Sequence, residues 1–468
     1  MLQLRYGIYL IILSMPLYLW RFSVAGIPVN FLEMMIYVLF LFWLFNRIKK
    51  RKFYPALAEG FCNFSYMPKN NLIFLLGIVL LFLGVTISTI YSSDLRTSLG
   101  IFKGWFVSPL LFFVVLVNVF NKKEYITNSL KSYLASGVVV SLIGIIYLLN
   151  GKITFDGRLS AFFLSPNHLA MYLAPAFLTA IASILSLGIS KKRSFCHSRE
   201  DGNPGLISKN IFEKCSFVSL FEFTIKKNKK LLYLIILLII SVPLCSTYSY
   251  GAFLGIFAGT LYLVAKSGRL NTKSACFKSF VLLFFFGLVA VSFVKFEQIA
   301  SSEHRSSFHS RLMIWNSAKE IAKDNFFLGI GPGTFQETYL AYSQKFSKPY
   351  LEWAVPQPHN IFFAFYLQTG LIGFLGFILI LSWFFRQRDI ILSHLSDEQV
   401  FPTEKFYIIN ALMMYILIHG LVDTTYWKND LALIFWIILG LKFVSQKQFD
   451  PQNTGRLSAN KIIDKDID

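Results

Sequence analysis

His359 and Asn360 lie where a polar segment meets a long apolar run, and they are the residues most suited to chemistry. An imidazole changes its charge between about pH 5 and 8, so it can take a proton from a hydroxyl near neutral pH. Asn360 beside it can orient a partner. The pattern His-Asn, nine residues, then Gly370 and Gly373 is the most specific in the chain. The alternative is a polar helix start, with Pro358 setting its entry.

Basic residues and glycines precede this motif. Arg311 opens a predicted amphipathic helix over 311–323, and Arg305 lies just before it. A guanidinium binds phosphate oxygens in a two-pronged geometry, so Arg311 suits a lipid pyrophosphate. The turn that contains Gly331 and Gly333 can offer backbone N–H groups to an anion. The alternatives are a solvated helix start, a contact with lipid headgroups and an ordinary glycine turn.

The elements that position these residues are predicted to be membrane helices. The chain has 468 residues, 55% hydrophobic and 17% aromatic, with a mean hydropathy of +0.56. This is too apolar for a soluble protein. The net charge of +20 could indicate nucleic acid, but its basic residues cluster in alternate loops, as the positive-inside rule describes. The composition therefore indicates a lipid bilayer and excludes nucleic acid as a partner.

Apolar runs of about 17–25 residues, the length that a bilayer requires of a helix, recur along the chain. They predict an all-α polytopic membrane protein of about twelve helices. The predicted spans are 5–22, 28–45, 72–91, 104–120, 130–149, 168–188, 231–247, 250–266, 279–295, 360–384, 406–424 and 430–445.

The basic loops place both termini in the cytoplasm. The predicted organisation is a single membrane domain over 1–445 with a cytoplasmic tail at 446–468. Within the domain we expect a poorly ordered cytoplasmic loop at 189–230 and a large external loop at 296–359, between helices 9 and 10. The shorter external loops are predicted near 92–103, 150–167 and 425–429.

Further polar residues lie toward the same external side. Arg158 lies in a short external loop, and Asn167 follows at a helix start, so the two could close a pocket around the first site. Alternatively, Arg158 reaches to lipid headgroups. His419 and Asp423 are four residues apart on a predicted helix and would share one face. Ionisable groups at membrane depth are functional candidates, although a pair that only locks helix packing is an equal alternative.

Cofactor motifs are lacking in the sequence. No Cys/His cluster has zinc spacing, and no phosphate-binding loop or dinucleotide fingerprint occurs. The sequence therefore predicts no metal site and no cofactor.

Together these residues resemble the O-antigen ligase and polymerase superfamily of lipid-linked glycan transferases. Members carry an external-loop arginine, an aromatic residue about four positions on, and a glycine-rich turn. Here these are Arg311, Trp315 and the turn 329–335. The ligase motif of His, Asn or a similar residue, nine further residues and Gly-x-x-Gly is matched by His359, Asn360, Gly370 and Gly373. The predicted topology is similar to that of the family over most of the chain. The local sequence is similar over about 311–373.

The resemblance implies transfer of an undecaprenyl-diphosphate-linked glycan to an acceptor, either lipid A-core or another glycan, with inversion at the sugar and no metal or nucleotide sugar. It implies that Arg311 holds the diphosphate and that His359 activates the acceptor hydroxyl. It also implies a bacterial inner-membrane location, with the active site facing the periplasm. One departure is Tyr250, which stands where the family has an arginine, so diphosphate binding would rely on Arg158, Arg311 or Arg305.

Two rival functions remain open at this point. A polymerase would join one lipid-linked repeat unit to another with the same chemistry. A polysaccharide-lipid flippase or other transporter would need symmetric halves and charges along a central path, whereas the polar groups here gather on one side.

Overall fold

A computed structural model describes residues 2–24, 26–49, 69–193, 209–266, 307–343, 345, 354–393 and 403–447. The predicted ninth membrane helix at 279–295 and the candidate Arg305 lie outside these residues. The described part is mostly helical, as the sequence predicted.

The secondary structure comprises one short hairpin and a series of helices. The hairpin strands are β1 (Arg21–Val24) and β2 (Ile27–Asn30). The helices are α1 (Leu2–Leu13), α2 (Phe31–Lys49), α3 (Lys69–Ile90), α4 (Leu95–Val119), α5 (Lys123–Leu149), α6 (Pro166–Arg193), α7 (Lys209–Ser246), α8 (Tyr250–Lys266), α9 (Ser307–Asp324), α10 (Phe335–Ser343), α11 (Ile361–Ser393), α12 (Thr403–Gly420) and α13 (Asn429–Lys447).

Eight segments of the described residues are long and apolar enough to cross a membrane. They lie in α2 to α7, α11 and α13, and shorter apolar helices are formed by α1, α8 and α12. The chain therefore has the helices of a polytopic membrane protein. The total of twelve spans stays a prediction.

The first predicted span, 5–22, is wrong as a single helix. Helix α1 ends at Leu13, and a short 3₁₀ turn over Met15–Leu19 leads into β1. Pro16 lies in this turn, where its missing N–H and fixed ring geometry oppose a continuing α-helix. Strand β1 then pairs antiparallel with β2, so the described chain is not entirely α-helical.

The predicted external loop at 92–103 is also wrong, because α4 already begins at Leu95. Asp94 caps it by accepting hydrogen bonds from the side chain and the backbone N–H of Thr97. These bonds, the side-chain one first, lower the pKa of the exposed Asp94 carboxyl. A π-helical turn over Phe102–Val107 continues α4 toward the membrane.

The predicted loop at 189–230 is mostly helical in the structure. Helix α6 continues to Arg193, and α7 begins at Lys209 and runs without a break into the apolar stretch that ends at Ser246. The many lysines of this region are good helix formers, so a basic composition does not by itself prevent a helix.

Helices α3 and α11 pack at very short range because glycines face each other. A Cβ atom placed on Gly84 would collide with the backbone of Gly373, and one on Gly376 would collide with the backbone of Leu81. Small residues allow such close approach between membrane helices. Helix α11 also has a break at Gly370, where φ is 66° and ψ is −178°. The helix thus divides into 361–369 and 371–393.

The predicted loop helix at 311–323 is confirmed as α9. Its buried face is formed by Met313, Ile314, Ala318 and Ile321, which pack with Leu367 of α11. Leu312 is exposed, whereas Trp315 and Ala322 lie at the margin of the core.

The chain divides into two compact units. The first comprises residues 1–132 and 293–468, and the second comprises residues 133–292. The first contains α9, α11 and α12, and the second contains Arg158 and Asn167.

Candidate active site

Three consecutive residues after α12 bind three of the predicted site residues in the first unit. The carbonyl of Leu421 accepts a hydrogen bond from Asn360 Nδ2 (2.9 Å), and the carbonyl of Val422 accepts one from Arg311 Nε (2.8 Å). An Asp423 carboxylate oxygen lies 3.1 Å from His359 Nδ1. The segment 421–423 therefore joins the loop helix α9 and the start of α11.

The backbone of His359 is strained. Its φ is 47°, in the left-handed region that a residue with a Cβ rarely adopts. Such conformations cost about 1–3 kcal/mol and persist where the surroundings impose them. Here the chain on either side is held: the carbonyl of Pro358 accepts a hydrogen bond from Trp315 Nε1 (3.1 Å), and Asn360 is fixed by α11. The imidazole position is thus set by its neighbours.

The contact with Asp423 determines which nitrogen of His359 carries the proton in the neutral ring. An ionised carboxylate only accepts hydrogen bonds, so Nδ1 must donate. Nε2 then has a free lone pair and can accept a proton. The His359 side chain is one-third exposed, whereas that of Asp423 is 5% exposed. A buried acid therefore orients a partly accessible base.

Asp423 stays ionised in this setting. Burial by itself raises the pKa of its carboxyl. The positive charge of a protonated His359 and its hydrogen bond outweigh burial, with smaller contributions from His419 and Arg311, so the pKa lies below its usual value. The carboxylate can therefore stabilise an imidazolium at neutral pH.

His419 and Asp423 do not share a helix face as predicted. Helix α12 ends at Gly420, so Asp423 lies in the turn beyond it, where the carbonyl of His419 accepts the backbone N–H groups of both Val422 and Asp423. The fully buried His419 ring instead lies 2.8 Å, through Nδ1, from the hydroxyl of Tyr415. Asp423 thereby faces His359.

The side chain of Asn360 acts as a helix cap. Its Oδ1 accepts the backbone N–H groups of Phe362 (2.9 Å) and Phe363 (3.1 Å) at the start of α11. Together with the bond to Leu421, these contacts give Asn360 a positioning role for His359 next to it. Its predicted role in substrate binding stays untested.

The glycine-rich turn at 329–333 packs against helices. A Cβ on Gly331 would collide with Ser92, and one on Gly333 would collide with Thr97 and Ile101. The N–H of Gly333 donates to the side chain of Gln368 (2.9 Å). In the structure the N–H of Gly333 thus already has a partner, and its predicted contact with an anion stays a prediction. The motif glycines Gly370 and Gly373 likewise serve the close packing of α11 described above.

In the second unit, Arg158 and Asn167 contact each other. Arg158 donates through NH2 to Asn167 Oδ1 and through Nε to the carbonyl of Thr247 (2.7 Å). Asp156 lies 3.8 Å from the guanidinium. Thr247 belongs to the turn before α8, three residues from Tyr250, which is exposed. Arg158 thus brings a positive charge to the turn where the family arginine is missing.

Sequence reasoning missed two contributions to this site. The carbonyls of Leu421 and Val422 act through the main chain, for which no residue type is a signal. Tyr415 precedes His419 by one helical turn, and that spacing could have suggested their contact. Among the described residues, no group of three or more His, Cys, Asp or Glu side chains could hold a metal ion.

The arrangement in the first unit can accept a proton at His359, stabilise the resulting charge at Asp423 and present a guanidinium close by. This combination suits attack by a hydroxyl on a centre whose leaving group is an anion.

Comparison with known proteins identifies a family that part of the chain resembles. No curated protein matches the chain. Residues 235–378 match the O-antigen ligase family, and this range contains Arg311, His359 and the glycines of α11. The match covers less than half of the chain, and over these residues it confirms the resemblance to the O-antigen ligase family seen in the sequence.

Proposed function

We propose that this protein transfers a glycan from undecaprenyl diphosphate to a hydroxyl of lipid A-core or of another cell-surface acceptor. The observation that carries the proposal is the His359–Asp423 pair, joined through the segment 421–423 to Arg311. The O-antigen ligase family implies lipid-linked glycan substrates and a membrane environment, in agreement with the apolar helices.

In the proposed reaction the acceptor hydroxyl attacks the anomeric carbon of the donor sugar. His359 Nε2 takes the hydroxyl proton as the new C–O bond forms. The bond between the anomeric carbon and the diphosphate oxygen breaks, and undecaprenyl diphosphate leaves with the electron pair. A single displacement of this kind inverts the configuration. Asp423 stabilises the imidazolium, and Arg311 is the proposed partner of the leaving diphosphate. Arg158 is proposed separately as an anion-binding residue of the second unit.

The test is transfer in vitro from a lipid-linked donor by the purified protein. A positioned base contributes about 10²–10⁴-fold in rate, so His359→Ala should reduce transfer by that order while donor binding, assigned to the arginines, stays nearly intact. His309→Ala, at an exposed histidine of α9, is the matched control. Wild-type turnover by His359→Ala would refute the base assignment. Loss of activity with EDTA would refute a metal-independent reaction.

Deletion of the gene decides which acceptor is used. A ligase mutant should accumulate polymerised lipid-linked chains, whereas a polymerase mutant should show products with a single repeat unit. Absence of both kinds of glycan outside the cytoplasm would instead indicate a flippase.

We further propose that the site faces the periplasm. In a cysteine-free background, Lys319→Cys, at an exposed position of α9, should react with a membrane-impermeant maleimide in spheroplasts. Asn121→Cys, at the exposed connection between α4 and α5, should react only after the membrane is opened. The reverse pattern would refute the proposed topology.

A further inference from the structure

Three consecutive apolar side chains project from the connection between α9 and the glycine-rich turn. Phe326 is 48% exposed, Phe327 is 70% exposed and Leu328 is 40% exposed. Such a cluster in a loop next to membrane helices is unusual for a surface that faces only water, because contiguous exposed apolar groups mark interaction surfaces.

The backbone of this apolar tip, residues 326–328, is firmly held against α11. The carbonyl of Phe326 accepts a hydrogen bond from the hydroxyl of Tyr366 (2.9 Å), and the carbonyl of Phe327 accepts the N–H of Leu371 (3.1 Å). The N–H of Gly329 closes the turn onto the carbonyl of Asn325 (3.0 Å). The exposed side chains are therefore presented by a fixed backbone.

The depth of the tip can be read from its contact with α11. Gly84 of α3 lies at the level of Gly373, since their backbones nearly touch. From Gly84 to Ile90, where α3 ends, helix α3 rises roughly 9 Å. From Gly373 back to Leu371, helix α11 rises roughly 3 Å. Phe327, bonded to Leu371, thus lies roughly 6 Å inside the end of the membrane segment of α3.

The surroundings of the tip have the polarity gradient of a membrane interface. One helical turn further into α11, Leu375 is also exposed, so the apolar surface continues along a helix that is apolar enough to cross the bilayer. On the other side, toward α9, Lys323 and Glu320 form an exposed ion pair (2.7 Å). Amphipathic segments of this kind lie with their apolar side about 5–10 Å below the headgroups.

We propose that Phe326, Phe327 and Leu328 insert into the lipid leaflet on the side of α9 and anchor that helix to the membrane surface. The occupant of this apolar surface is the acyl-chain boundary of the bilayer. The anchor would fix the height of Arg311 relative to a headgroup at the same surface. The proposal rests on exposure and depth, and it is independent of the reaction proposed above.

Spin labelling tests the insertion directly. The full chain, with its five cysteines replaced by serine, is reconstituted in vesicles of phosphatidylethanolamine and phosphatidylglycerol. A nitroxide is attached to Phe327→Cys, to Leu328→Cys as a second position, and to Lys319→Cys as an exposed control on α9. Collisions with oxygen, which concentrates in hydrocarbon, are compared with collisions with a water-soluble nickel chelate.

We expect the ratio of oxygen to nickel collisions to be several-fold higher at positions 327 and 328 than at 319. Nickel access at 327 equal to that at 319 would place the tip in water and overturn the proposal. A label reached by neither reagent would also overturn it, because the tip would then be covered by protein, either this chain or a second copy.

Discussion

Two arginines are anchored in the same way in the two compact units, but their surroundings differ. Arg311 donates through Nε to the carbonyl of Val422, and Arg158 donates through Nε to the carbonyl of Thr247. In each case a main-chain carbonyl of a loop fixes the plane of the guanidinium. A planar fork held in this way suits two-pronged recognition of a phosphate.

The difference lies in the acids and bases next to each arginine. Arg311 lies beside the buried Asp423 and its partner His359, whereas Arg158 has the more exposed Asp156 and the neutral Asn167. The first site can therefore move a proton and stabilise charge, while the second can only stabilise charge. We therefore propose a part in catalysis for Arg311 and anion binding for Arg158.

The largest effect expected from this comparison is that of Asp423→Asn. The amide keeps the size of the side chain but removes the charge that orients His359, so transfer should fall by about 10²–10⁴-fold, the order seen when a base loses its orienting acid. Asp324→Asn, at the exposed end of α9, is the control. The transfer rates of both variants are measured in vitro. A rate near that of the wild type for Asp423→Asn would show that Asp423 has no role in the mechanism.

The pH profile of the same variants tests the pairing of His359 with Asp423. Because the pKa of Asp423 lies below its usual value of about 3.9, this acid stays ionised between about pH 5 and 8. A change in rate within that range should therefore not come from titration of Asp423. Asp423→Asn should nevertheless change the profile, because the negative charge that contacts His359 is gone. An unchanged profile would contradict the pairing.

A smaller loss is expected from Arg311→Lys and Arg158→Lys, which keep the charge but lose the fork. A hydrogen bond to a charged group is worth about 1.5–3 kcal/mol, or roughly 10–10²-fold. Arg158→Lys should raise the KM for the lipid-linked donor and leave the pH profile unchanged. Arg311→Lys should also alter the profile, since it loosens the segment that carries Asp423.

Lys319→Arg is the control for these two variants at an exposed position of α9. Equal changes in KM and in the pH profile for both arginines would contradict the division of roles between the units.

The smallest effect is expected from Tyr250→Arg. Tyr250 is 58% exposed, so an added arginine there would contribute about as much as an exposed ion pair, and activity should rise by roughly fivefold at most. Tyr250→Phe serves as the control without charge. If Arg158 already supplies the charge that the turn needs, the transfer activity of Tyr250→Arg should exceed that of the wild type only slightly. A much larger increase in activity would show that Arg158 does not replace the family arginine.

Most of the membrane helices were predictable from the sequence, while the irregular segments were not. The spans over α3, α5 and α13 follow from apolar length, because a helix satisfies its own backbone in lipid. The early end of α1 depended on Pro16, and the start of α4 depended on the cap at Asp94. The proline and the cap are single residues, and a hydropathy profile does not detect them because it averages over many positions.

The candidate site was predictable residue by residue but not as an arrangement. Arg311, His359 and Asp423 were each chosen by residue type and position. Asp423 was expected to face His419, however, because both were assigned to one helix. In the structure that helix ends at Gly420, and Asp423 contacts His359 instead. Gly331 and Gly333 were chosen for their N–H groups, whereas the structure uses them for close packing.

The sequence by itself determined which groups are available: an imidazole, a carboxylate and a guanidinium outside a set of apolar helices. Only the tertiary structure decided that His359 meets Asp423 across 64 residues and that Arg311 meets Val422 across 111. The physical reason is the range of the interactions. Hydrogen bonds within a helix join residues four apart and can be read from a local pattern, whereas these contacts depend on how α9, α11 and α12 pack.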